Sequence, residues 1–133
     1  MPLTPPNPRP PFDVVRVAHV ELGAADLERS REFYEGALGM VVTAADDDTL
    51  WLRGLEDACH HSLVIRRGRP GVCLRLAFRV RTEEDLDAAA RYFAAKGLPV
   101  EEVRPRGQGR TLHVRDPFGV PLAFYQRQDT VAR

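Results

Sequence analysis

The chain has 133 residues, 44% hydrophobic and 29% charged, and its 19 basic and 19 acidic side chains cancel to a formal net charge of zero. That size and balance fit one soluble globular domain with one core, and no basic stripe with interleaved aromatics marks a nucleic-acid partner. No run approaches the roughly 18 apolar residues needed to span a bilayer, so no membrane association is expected.

Met1 to Pro11 (MPLTPPNPRPP) holds six prolines and cannot form a helix or a central strand. It reads as an extended arm, either a plain leader or a segment that packs on a neighbouring subunit or domain. It is proline-rich rather than signal-like, and a cytoplasmic location is expected. The two cysteines, Cys59 and Cys73, form no C-x-x-C pair and predict neither a disulfide framework nor a zinc knuckle.

Arg16 to Met40 (RVAHVELGAADLERSREFYEGALGM) predicts a strand followed directly by an amphipathic helix. Asp26 suits the N-cap, Leu27, Ser30, Tyr34, Ala37 and Leu38 recur at helical spacing, and Gly39 suits the left-handed C-terminal position. The helix would cover one face of the sheet. His19 and Glu21 share a strand face, free to line a concavity, which makes His19 a candidate ligand.

Met40–Ala45 and Thr49–Arg53 predict two strands joined by Asp46, Asp47 and Asp48. The three carboxylates lack calcium-loop spacing, so a solvated hairpin turn is expected, with Trp51 and Leu52 packed against the first helix. His60–Arg67 (HHSLVIRR) predicts the next strand, on which alternation would put His60 and His61 on opposite faces.

The pattern then repeats. Leu74–Val80 is a predicted strand, Thr82 and Asp85 form a capping box, and Leu86, Ala89, Ala90, Phe93 and Ala94 make an apolar helix face closed by Gly97. Asp26-Leu27 and Asp85-Leu86 lie 59 residues apart, as do Phe33-Tyr34 and Tyr92-Phe93. Copies this short are expected to be halves of one domain. Val100–Arg104, Arg110–Arg115 and Val120–Gln126 complete the second copy, with a type I turn at Asp116-Pro117-Phe118-Gly119. The basic, glycine-rich loop Pro105–Gly109 opens no helix and so lacks the context of a phosphate cradle. His113 alternates with Leu112 and Val114 and is expected at the surface or an interface.

The predicted order is βαβββ twice, an α+β fold in which two modules pair into a curved mixed sheet enclosing a cavity. The arm would occupy residues 1–11, the domain 12–127, with module 1 at about 14–67 and module 2 at about 72–127, and a tail 128–133. From residue 12 to 126 the chain resembles the vicinal oxygen chelate (glyoxalase/bleomycin resistance/extradiol dioxygenase) superfamily. The segments FDVVRVAHVELGAADLERSREFYEGALGMVVT, DDDTLWLRGLEDACHHSLVIRRG, LAFRVRTEEDLDAAARYFAAKGL and VRDPFGVPLAFYQ are similar to the N-terminal domain of extradiol dioxygenases of the homoprotocatechuate (catechol 2,3-dioxygenase) type.

That resemblance implies a 2-His-1-carboxylate site for Fe(II) or Mn(II) in full-length catalytic members. Carried onto this chain, the first ligand position falls on His19, the second on Arg75 and the third on Ala123. Arginine stays protonated and alanine has no donor atom, so no catalytic residues and no cofactor are expected in this chain alone. The resemblance implies an isolated N-terminal domain, structural in role, that contributes packing and oligomer contacts: a homodimer, or docking on a catalytic C-terminal domain.

An alternative is a stand-alone small-molecule binding module, its cavity lined by His19, Trp51, Arg75 and Phe124 and taking a small aromatic or anionic ligand. Arg75 could instead pair with Glu21 on an adjacent strand. A third reading is a metalloenzyme using His19, His60 or His61, and Glu21. The candidate metal position is thus His19, and the candidate cavity residues are His19, Glu21, Trp51, His61, Arg75 and Phe124.

Overall fold

A computed structural model describes residues 1–132. Eight strands form one mixed sheet: β1 (Val14–Ala24), β2 (Val41–Ala45), β3 (Thr49–Arg53), β4 (Leu63–Arg67), β5 (Cys73–Val80), β6 (Glu101–Val103), β7 (Thr111–Arg115) and β8 (Pro121–Tyr125). Their spatial order is β2-β3-β4-β1-β5-β8-β7-β6. Each half carries one parallel pair, β1 with β4 and β5 with β8, and the halves join through the antiparallel pairing of β1 with β5. The expected α+β fold of two edge-paired modules is therefore what the chain adopts, as an open sheet.

Alternation divides the strands between two faces. Val20 and Leu22 of β1, Leu50 and Leu52 of β3, and Leu63 and Ile65 of β4 pack under the first helix around Leu27. In the second half Val80, Leu112, Val114 and Phe124 pack with Leu86 and Ala89 of α2 (Glu83–Ala95). Both caps form as expected: Asp26 accepts from the Glu28 and Arg29 amides, and Thr82 and Asp85 make the reciprocal capping box.

Four expectations change. The first helix is α-helical only over α1 (Leu27–Arg31) and then widens into a π-helical turn, Glu32–Ala37, in which the Leu38 amide reaches back to the Phe33 carbonyl at 3.0 Å. Tyr34 stays against the core while Phe33 remains exposed. Trp51 faces away from that helix, because it neighbours Leu52 on a pleated strand and only one of the two can point inward.

Phe124, expected in the cavity, lies on the opposite face under α2, stacked on Phe78 and edge-on to Phe12, and its neighbours Ala123 and Tyr125 face the concavity. Finally, β4 begins at Leu63 rather than His60. The backbone of residues 58–60 pairs instead with the segment after β8, where the His60 amide donates to the Asp129 carbonyl and the Val131 amide to the Ala58 carbonyl. The expected tail is thus tied into the structure, residue 133 lying outside the described residues.

The aspartate turn is a hairpin connection, with the Asp46 side chain accepting from the Asp48 and Thr49 amides. Residues 1–10 are exposed and form no strand or helix, and Phe12 seats the chain on Tyr92, Phe93 and Phe124.

Candidate functional site

The concave face of the first module holds a chain of buried polar groups. His19 is 3% exposed, Glu21 8% and His61 fully covered. The Glu21 carboxylate accepts a hydrogen bond from His19 Nε2 at 3.2 Å on one oxygen and from the Arg66 guanidinium at 2.7 Å on the other. Burial alone would raise the Glu21 pKa, but these two donors outweigh it and hold the carboxyl at about 2. An ionised carboxylate only accepts, so in the neutral His19 ring the proton lies on Nε2 and Nδ1 accepts from the Tyr125 hydroxyl at 2.8 Å. Burial pushes the Tyr125 phenol upward, which keeps that donor in place.

His61 packs edge-on to His19 with ring centroids 4.6 Å apart. Its Nε2 donates to the Gln108 side-chain oxygen at 3.1 Å and its Nδ1 meets His60 Nδ1 at 2.9 Å. Burial, with the neighbouring histidines adding to it, depresses the His61 pKa to about 3. The expectation that alternation separates His60 from His61 fails because this segment is not a strand.

The loop after β6 makes this closure. Arg106 lies over Trp51 at 5.0 Å from the ring centroid, and Gln108 also bonds Thr111. Gly107 has φ +79°, and a Cβ there would collide with the His60 ring. The glycine-rich loop is thus a plug that covers the first module's concave face. The segment after β8 backs it, with Gln128 donating to the His61 carbonyl at 2.6 Å. Sequence reasoning passed over Gln108, Gln128 and Tyr125, and only for Tyr125 did a signal exist, its alternation with Phe124.

The donors do not fit a catalytic metal. Arg75 is the cross-strand neighbour of Glu21, its Nε 4.0 Å from the carboxylate, and Ala123 contributes only a methyl group. His19 bonds Glu21 and His61 packs on His19, yet both nitrogens of each ring are engaged in hydrogen bonds. Among the described residues no group of three His, Cys, Asp or Glu side chains is placed to hold a metal ion. No buried side-chain nitrogen or oxygen there lacks a partner. A fully satisfied buried network of this kind rigidifies the concave face.

Residues 16–124 match the Glyoxalase/Bleomycin resistance protein/Dioxygenase superfamily. The manganese-dependent 2,3-dihydroxybiphenyl 1,2-dioxygenase of Geobacillus genomosp. 3 is 29% identical over 116 residues, covering 85% of this chain and 37% of the relative. Metapyrocatechase of Geobacillus stearothermophilus is 34% identical over 89 residues, covering 67% and 27%. An extradiol ring-cleaving dioxygenase from B. fuscum matches with a TM-score of 0.88 at 37% identity, covering 97% of this chain and 37% of that one. Homoprotocatechuate 2,3-dioxygenase from Arthrobacter globiformis matches with a TM-score of 0.87 at 37% identity, covering 96% and 40%. The chain therefore spans less than half the length of each of these relatives.

Proposed function

The chain belongs to the glyoxalase/bleomycin resistance/dioxygenase superfamily, and we propose that it serves as a structural domain of the extradiol dioxygenase type, without ring-cleaving chemistry of its own. The observation that carries this reading is the closed network around His19. His19 spends both nitrogens on Glu21 and Tyr125, and the resemblance to the dioxygenases implies that Arg75 and Ala123 take the places of the other two ligands.

On this reading the domain contributes packing, either to a second copy of itself or to a catalytic domain. Exposed apolar side chains on β1 and in loops, among them Val17, Leu55 and Phe118, supply surface for such contacts. Two free cysteines fit a reducing, cytoplasmic setting.

The test is metal content after reconstitution with Fe(II) or Mn(II), paired with a ring-fission assay on 3,4-dihydroxyphenylacetate. Near-zero metal and no coloured product are expected. One metal per chain with turnover would overturn the assignment of Arg75 and Ala123 to the ligand positions.

A further inference from the structure

The second module's concave side is built differently. A cavity of about 370 Å³ opens beside β5, β6 and β7, with Arg75, His113 and Arg115 among its walls. The Arg75 side chain is only 25% exposed, yet its donors are poorly used. Its Nε lies 4.0 Å from Glu21, a carboxylate already bonded by His19 and Arg66, and Nη1 reaches the Leu122 carbonyl at 3.5 Å. A guanidinium carries five N–H groups in a planar fork suited to a carboxylate.

His113 is half-buried and its ring makes no hydrogen bond among the described residues, while burial and then Arg75 hold its pKa down. A neutral imidazole there keeps one N–H to give. Two carboxylates, Glu101 and Asp116, also border the cavity, and Leu98 and Pro121 provide apolar wall.

From this arrangement we infer a binding site for an organic monocarboxylate with an apolar body, its carboxylate on Arg75 and His113. Glu101 and Asp116 tolerate one negative charge beside the two arginines but repel a dianion, which sets the preference against phosphate. The volume lies in the range of small-ligand pockets, large enough for a single aromatic or short aliphatic acid. The site draws on no metal and stands apart from the structural role proposed above.

The test is a titration of the full chain with sodium benzoate, followed by backbone amide and arginine Nε chemical shifts. Saturable shifts confined to Arg75, Glu101, His113 and Arg115 and their neighbours are expected, with no response to benzyl alcohol and a weaker one to inorganic phosphate. Arg75→Met should weaken benzoate about tenfold, the worth of one good charge-assisted contact. His113→Leu, which leaves Glu21 and its partners untouched, should weaken it as well and keeps the test valid if the Arg75 variant does not fold. Shifts that never saturate or that fall elsewhere overturn the proposal. So does phosphate binding as tightly as benzoate, benzyl alcohol binding like benzoate, or folded variants that bind like the parent.

Discussion

The two modules share their convex faces and differ on their concave ones. Leu27 and Leu86, 59 residues apart, both anchor their helices on the sheet, behind Asp26 in one copy and the Thr82–Asp85 box in the other. Inside, the first module is filled by the Tyr125–His19–Glu21–Arg66 chain and sealed by the loop carrying Arg106 and Gln108. Among the described residues the second has no comparable plug, and its polar groups line an open cavity. The convex face carries the repeated packing that makes the fold, whereas the concave face is where each copy is free to specialise.

The hardest blow to that contrast is removal of the carboxylate on which the first module's network converges. Glu21→Ala leaves the buried His19 without its acceptor and deprives Arg75 and the partly exposed Arg66 of their carboxylate, and a loss of about 3 kcal/mol is expected in urea unfolding. A loss under about 1 kcal/mol would show that the network is a passenger. The shared convex packing is sharpened by a matched pair, Leu27→Ala and Leu86→Ala. Each should lose about 2–5 kcal/mol, the second more, because Leu86 is fully covered while Leu27 retains 6% exposure. Equal losses would mean that both helices collapse onto their cavities alike.

The most graded effect is acid sensitivity, spread over several pH units. His61 has its pKa lowered to about 3 against an ordinary 6.5, so between those values the unfolded chain binds a proton that the folded chain refuses. Stability therefore falls as pH drops from about 6.5, by up to about 1.4 kcal/mol per pH unit for this one group. Burial also lowers His60 and His113, which add in the same direction, so the comparison that isolates His61 is parent against His61→Gln. Unfolding midpoints between pH 6.5 and 4.5 should slope less in the variant, and unchanged slopes would remove His61 from the account. Below pH 4.5 the parent should decline further as Glu21, held at about 2, resists a proton that the unfolded chain accepts.

Much of the convex architecture was legible because it is periodic. Leu86, Ala89 and Phe93 fall on one helical face, and the caps stand at fixed offsets before them. His19 and Glu21 were placed on one strand face by simple alternation, and the Glu21–Arg75 neighbour relation follows from the antiparallel pairing of β1 with β5. Phe124 was misplaced although the same alternation, read from Ala123, puts it under the helix. His60 and His61 were misread for a different reason: the segment looked like the start of a strand, but its backbone pairs with residues near the C-terminus.

By itself, the sequence determined the doubled βαβββ order, the helix caps and the side of the sheet each helix covers. Each of these is written in residue type at short, regular spacing. Only the tertiary structure decided that Gln108 would cross 47 residues of chain to bond His61, and that the backbone at Asp129 would tie down His60. It also decided that the space around Arg75 would stay open. Contacts between distant, aperiodic segments are selected by the shape of the folded sheet, and they leave no spacing pattern in the chain to read beforehand.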